Sequence, residues 1–302
     1  MVQARRKLQE TVTGYLFCLP ALLLFLSVGL YSVVFSVFLS FFNWSGVDFA
    51  GTARFVGLGN FKYFLFGGSP INTRIFFSGL FNNIKIGFFT ILFVVPIALV
   101  LAFIVTNVKR SGVLRTIYFL PMVASGVGIF YVWRGLFAAN GFLNTMFAAV
   151  GLDMLVVRQG LLGDPGTALI GVIITTIWAA IPGTMILYYA GLAGIDQTLY
   201  EAAEIDGAGK VRTLLHITWP LLKPITIIII IQQLNLAFQM FENIWVLTGG
   251  GPGGATDVVG TLIFTTAFED QYYGMASAMG WSVFAFTLVL SLVSMRFFQS
   301  QT

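Results

Sequence analysis

Six apolar runs alternate with polar segments along the 302-residue chain, at about 14–42, 80–108, 113–137, 167–190, 221–246 and 276–298. A helix needs about 20 predominantly apolar residues to cross the hydrocarbon core of a bilayer, and each run meets that length. The pattern predicts an all-α integral membrane protein with six transmembrane helices and one membrane domain over residues 1–302. The first run follows Arg5-Arg6-Lys7 and reaches Trp44 without a small-residue cleavage site, well beyond the extent of a signal-peptide core. It is therefore expected to be a retained span. The segments at about 43–79, 138–166 and 247–275 are rich in Gly, Asn and Asp and read as longer loops on one side.

Composition strengthens this picture. Hydrophobic residues make up 58% of the chain and charged residues 9%, against roughly 25% charged in an average soluble domain. So little charge cannot dress a water-facing surface. The net charge of +4 is no nucleic-acid footprint, because in a membrane protein the positions of the basic residues matter more than their sum. With the N-terminus inside, ten of the 16 basic residues fall in cytoplasmic segments, Lys109, Arg110 and Arg115 sharing one short loop without an acid. Both termini are thus expected in the cytoplasm, as is the loop 191–220. A lone cysteine, Cys18, excludes a disulfide framework or a cysteine-based metal site.

The loop 191–220 is the exception to the scarcity of charge. Its stretch YEAAEIDGAGKVRTLLHITWP holds Glu201, Glu204, Asp206, Lys210, Arg212 and the only histidine, His216. Asp196 is placed to cap a helix over 197–206, with Leu199, Ala202, Ala203 and Ile205 as its apolar face. Gly207 suits the helix end, a second short helix follows from Lys210 to Thr218, and Pro220 and Pro224 punctuate the return to the membrane. Small residues at 202, 203 and 207–209 permit close approach by another backbone, and the carboxylates of Glu201 and Asp206 offer acceptors to a partner. This reads as a docking knob rather than a solvated tether.

The spacing Glu201-Ala202-Ala203, three residues, Gly207, nine residues, Ile217, one residue, Trp219-Pro220 resembles the EAA loop of binding-protein-dependent ABC importer permeases, with Trp219 where leucine is usual. VLTGGGPGGATDVVGTLIFTTAFEDQYYGMASAMG over 246–280, FVGLGNF over 55–61 and YFLPMVASGVGIFYVWRGLF over 118–137 are similar, in order, to segments of the carbohydrate branch of that family, whose maltose-type members carry a long additional external domain that is missing here. The resemblance implies a type I importer permease whose EAA loop couples to a separate ATPase subunit through Glu201, Ala202, Ala203, Asp206, Gly207, Ile217 and Pro220. It also implies a second, different permease subunit, two cytoplasmic ATPase subunits, an extracytoplasmic sugar-binding protein, and residence in a bacterial or archaeal plasma membrane.

No nucleotide site is legible in the chain itself. A P-loop needs Gly-x-x-x-x-Gly-Lys-Ser/Thr, but Gly209-Lys210 is followed by Val211 and preceded by Glu204 where the first glycine belongs. Gly249–Gly254 has no following lysine. ATP and magnesium are accordingly expected on the partner ATPase, with no cofactor on this chain. Neither a metal-ligand set nor a catalytic constellation is apparent, since His216 stands alone and Glu201 and Glu204 lack a companion pocket.

For the solute path, Gln232, Asn235, Gln239 and Glu242 recur at helical spacing along the fifth run, where polar groups are costly and tend to face a bundle interior. Interhelical hydrogen bonding is the competing reading of that row. Resemblance to maltose-type permeases places lining positions at Met122, Gly126, Ala179, Ala180, Gln233, Ala237 and Met240. No lysine or arginine lies deep in an expected span, Lys85 and Arg134 being near span ends, which favours a neutral mono-, di- or oligosaccharide over glycerol phosphate or another charged polar solute. An ion-coupled secondary transporter is the further alternative, and Glu242 is the only acid within a span that could serve one.

Overall fold

The computed structural model describes residues 2–67, 69–106, 116, 118, 122 and 126–299. In chain order the principal elements are α1 (Val2–Leu24), α2 (Tyr31–Leu39), β1 (Phe42–Asn43), β2 (Arg54–Phe55), α3 (Gly59–Leu65), α4 (Pro70–Thr106), α5 (Gly126–Leu136), α6 (Ala168–Ala193), α7 (Gln197–Ile205), α8 (Lys223–Phe238), α9 (Glu242–Leu247), α10 (Val259–Phe264) and α11 (Tyr273–Gln299). The backbone forms two compact units, Met1–Ser69 with Ile263–Ser282, and Pro70–Leu262 with Val283–Thr302.

Four helices among the described residues are long and apolar enough to cross a membrane: Thr11–Leu39, Ile71–Thr106, Ala168–Ala193 and Tyr273–Ser294. A fifth candidate is the pair Lys210–Leu221 and Lys223–Phe238, bent by 71°. Of the expected third span, α5 is described, whereas residues 113–125 other than Thr116, Tyr118 and Met122 lie outside the described residues, as do Lys109, Arg110 and Arg115.

Two expectations need correction. The second helix starts ten residues before position 80, because Pro70 suits the first turn of a helix and no further proline follows until Pro96. At about 1.5 Å per residue it is about 55 Å long, more than the hydrocarbon core requires. Lys85 stands within this longer helix, with 21 residues of it still to follow. The fifth run is not one helix over 221–246: α8 stops at Phe238, Gln239–Phe241 is irregular, and α9 begins at Glu242. The row Gln232, Asn235, Gln239, Glu242 therefore does not share one helical face.

In the larger unit, α4 packs along α6 through Val94, Val95, Ala98, Leu99, Ala102 and Val105 against Met185, Tyr188 and Leu192. Small side chains at Ala98 and Ala102 let the helices approach, which is how membrane helices gain contact when lipid is as apolar as leucine. Gly87 makes the same allowance for α8, since a Cβ there would stand 2.9 Å from that of Ala237. In the smaller unit, β1 and β2 pair antiparallel, Phe42 opposite Phe55 and Asn43 opposite Arg54. Around this hairpin Phe35, Phe38, Trp44, Phe49 and Tyr273 interlock edge-on or tilted. Trp281 Nε1 donates to Ser36 Oγ at 3.2 Å and ties α11 to α2.

Candidate functional site

The connection from α6 to α8 takes its shape from local chemistry. Asp196 Oδ1 accepts from the Thr198 amide at 3.0 Å and caps α7. Hydrogen bonding from Thr198, its backbone amide foremost, holds the Asp196 carboxyl below the ordinary carboxylate range. At the other end Gly207 adopts φ 72°. Its amide donates to Glu204 O at 3.0 Å and the Ala208 amide to Ala203 O at 2.9 Å, the two bonds of a Schellman turn. The chain then runs through Lys210–Thr213, a π-turn over Leu214–Thr218 and Trp219–Leu221 before bending into α8. Tyr200 OH and Thr218 Oγ1, 3.2 Å apart, join the two arms.

Ala203 alone of the expected apolar face is buried, while Leu199 and Ala202 are exposed and Ile205 is 86% exposed. A nine-residue helix with one neighbouring surface covers only the residue beneath it, so the other apolar side chains remain open. Glu201, Asp206, Gly207 and Pro220 are likewise exposed and Ile217 is half-buried. Asp206 sits at the C-cap, where the helix dipole disfavours a carboxylate, so its position does not serve local helix stability. Against the expectation that Glu201 and Glu204 lack a companion pocket, a cleft of about 450 Å³ lies between this loop and the end of α4, bordered by both carboxylates with Thr106, Tyr200 and Lys210 among others. His216 is exposed, its Nδ1 3.1 Å from Arg212 O.

The expected path residues separate into two groups. Gln233 is buried and its Nε2 donates to Thr184 Oγ1 at 3.0 Å, while that hydroxyl donates to Ala180 O at 2.9 Å. The structure thus brings Gln233 and the Ala180 turn together, as a bridge between α8 and α6. Ala237 is buried against α4. By contrast Met122, Gly126, Ala179, Gln239 and Glu242 are exposed, and Ala180 and Met240 are partly so. Glu242 opens α9, and a Cβ on Gly126 would lie 3.5 Å from its Oε1, so the carboxylate stands over the glycine of α5. Asn243 Nδ2 donates to Thr176 Oγ1 at 3.2 Å and continues the seam between α6 and the fifth run.

Sequence reasoning missed the pair that organises this region. Asn83, fully buried on α4, donates from Nδ2 to Ala237 O at 2.6 Å and accepts at Oδ1 from the Val259 amide at 2.9 Å. Asn82 Nδ2 donates to Ala255 O at 3.1 Å and Asp257 O at 2.8 Å. One asparagine therefore satisfies the carbonyl freed where α8 breaks and an amide at the start of α10. Its neighbour holds the glycine-rich turn between them. Two adjacent asparagines inside an apolar run were the available signal, because unpaired amides are costly there. Above them, burial raises the Asp257 carboxyl above its usual range, against the lowering effect of the Thr261 hydroxyl that donates to it at 3.0 Å.

Comparison with known proteins bears on this geometry. The profile of the family described as binding-protein-dependent transport system inner membrane component matches residues 88–301. The probable ABC transporter permease protein YurN of Bacillus subtilis is 35% identical over 297 residues, covering 97% of this chain and 98% of its own. The trehalose/maltose transport system permease protein MalF of Thermococcus litoralis is 32% identical, with 95% and 93% covered. Among solved structures, a chain of a bacterial ABC transporter involved in import of the acidic polysaccharide alginate superposes with a TM-score of 0.82 over 99% of both chains at 23% identity, a likeness of fold.

Proposed function

The chain belongs to the family of binding-protein-dependent transport system inner membrane components, and from that premise we propose that it lines the path by which an ATP-driven importer admits a sugar. It is a multi-pass, membrane-embedded permease subunit of an ABC importer that works with a binding protein. The relatives include a trehalose/maltose permease, which supports a mono-, di- or oligosaccharide as the solute.

The observation that carries the coupling role is the capped, exposed helix α7. Its start is joined to α6 by the short turn at Gly194–Asp196, and its body is tied by Tyr200 to the segment that bends into α8. A push on α7 therefore reaches two membrane helices, α6 through the turn and α8 through the Tyr200–Thr218 contact. In the proposed cycle, one of two cytoplasmic ATPase subunits grips Glu201, Ala202, Ala203, Asp206 and Gly207, with Ile217 and Pro220 setting the return, and the other grips the matching loop of the second permease. Closure of the ATPases around ATP and magnesium moves this loop and its counterpart on a second, different permease. The path then opens toward a docked extracytoplasmic sugar-binding protein, and hydrolysis resets it. Both termini of this chain lie in the cytoplasm in that arrangement, and residues 1–302 act as one permease domain.

The exposed set Met122, Gly126, Ala179, Gln239 and Glu242 supplies the surface on which a hydroxyl-rich solute could be handed across, with Met240 at its edge. Gln233, Ala180 and Ala237 shape the wall behind it.

The test is ATPase activity of the co-purified complex across a panel of binding protein–sugar pairs. Stimulation by one pair, abolished by Glu201→Lys without loss of the assembled complex, is the expected result. Unchanged stimulation and uptake in that variant would sink the coupling role.

A further inference from the structure

We propose that the outward face of α3, formed by Leu58, Phe61, Lys62, Leu65 and Phe66, binds an anionic phospholipid at the rim of the bilayer. This rests on the chain being membrane-embedded and not on which sugar it carries.

Hydrogen bonds set the depth of the helix. Asn60 Nδ2 donates to Ser40 O at 2.8 Å and to Phe42 O at 2.9 Å. The Val56 amide donates to Phe41 O at 2.9 Å. These acceptors are the first carbonyls past the end of the Thr11–Leu39 span, so α3 is held where that span leaves the hydrocarbon. Residues four apart share a helical face. Asn60 and Phe64 form the inward one, with Phe64 fully buried. The opposite stripe runs Leu58, Lys62, Phe66, and Leu58 is 58% and Phe66 77% exposed. Phe61 and Leu65 flank it half-buried.

The result is a shallow groove of about 720 Å³ with apolar walls and one ammonium group, that of Lys62. In water such a surface would be a liability. Here it adjoins the end of the apolar Thr11–Leu39 span, so a bilayer that holds the span reaches the groove as well. Between Arg54 and Gly67 there are two cations and no acid, which selects a negatively charged headgroup. The acyl chain lies along Leu58, Leu65 and Phe66, and the Lys62 stem follows the groove and lifts its ammonium to the lipid phosphate. A zwitterionic lipid offers the same chain without the net charge.

The experiment titrates the delipidated, fully assembled importer with phosphatidylglycerol or phosphatidylcholine and follows lipid adducts by native mass spectrometry. Lys62→Gln should weaken the tightest phosphatidylglycerol step about fivefold and leave phosphatidylcholine unchanged, the effect of one charge near a lipid surface. Phe66→Cys in a Cys18→Ser background, needed because Cys18 is free and exposed, places a spin label in the groove of the complex in nanodiscs. Relaxation by oxygen in preference to a water-soluble nickel chelate is the expected result. Equal phosphatidylglycerol binding by Lys62→Gln overturns the proposal. So does a label reached by the chelate, which means an aqueous face, or by neither agent, which means a protein subunit covers it.

Discussion

Replacing Asn83 by leucine, which has the same branching and a similar size, removes one donor and one acceptor from a fully buried site. The Ala237 carbonyl and the Val259 amide then have no partner at 2.6 and 2.9 Å. Each orphaned backbone group costs about 1–3 kcal/mol, so the pair predicts a loss of about 2–6 kcal/mol. Ordinary side-chain bridges between membrane helices average about 0.6 kcal/mol, because the unfolded chain in the membrane finds other partners. The two cases are therefore separable. The assay is denaturant-induced unfolding in mixed micelles, read by tryptophan fluorescence, with Asn235→Leu as the contrast. Asn235 donates to Ile231 O on its own helix at 2.9 Å, where the backbone bond persists without it, and accepts only a long bond of 3.4 Å from Ser291 Oγ, a hydroxyl free to turn to its own helix, so its replacement should fall within about 1 kcal/mol. Asn83→Asp adds a second distinction, since it keeps an acceptor for Val259 but turns an oxygen toward Ala237 O. A loss below about 0.5 kcal/mol for Asn83→Leu, the range of an ordinary surface change, would refute the reasoning.

Four further outcomes follow from particular contacts. Gly207→Val should uncouple ATP hydrolysis from uptake where Gly207→Asn does so weakly. No atom lies within 4 Å of a Cβ there, so only the φ of 72° discriminates, and asparagine tolerates it. Tyr200→Phe should lower sugar moved per ATP consumed, by loosening the link to Thr218 worth about 1 kcal/mol, with little change in assembly. Gln233→Leu should cost about 0.6 kcal/mol of stability if its bond to Thr184 is its whole role, and a larger fall in uptake than in stability would place it against solute. Asp257 has a raised carboxyl pKa in the fold, so its ionisation opposes folding. Stability contributed by this group is full below the unfolded value and declines as pH rises to and through the folded one. Asp257→Asn should flatten that decline, and unfolding midpoints compared from acidic to neutral pH would show whether it does.

Much of this architecture was legible because bilayer physics leaves few choices. A run of apolar residues long enough to cross must be a helix, and the runs at 14–42, 167–190 and 276–298 correspond to Thr11–Leu39, Ala168–Ala193 and Tyr273–Ser294. The loop 191–220 was equally readable, because its devices are local: Asp196 caps the helix that it precedes, and Gly207 ends it within four residues. What the chain by itself did not reveal depends on partners far away along it. The break at Gln239–Phe241 has no proline or glycine to announce it. It exists because Asn83, 154 positions away, captures the Ala237 carbonyl, and because Gly260 lets the Met240 carbonyl come close. The same distance hides the division of the residues expected along the path. Gln233 and Glu242 look alike as polar groups in an apolar run, yet Thr184 takes the first into the packing and the start of a new helix leaves the second exposed over Gly126. Periodicity and capping are settled over a turn or two of helix, but the choice between a buried bridge and an open surface is made only when two distant helices meet.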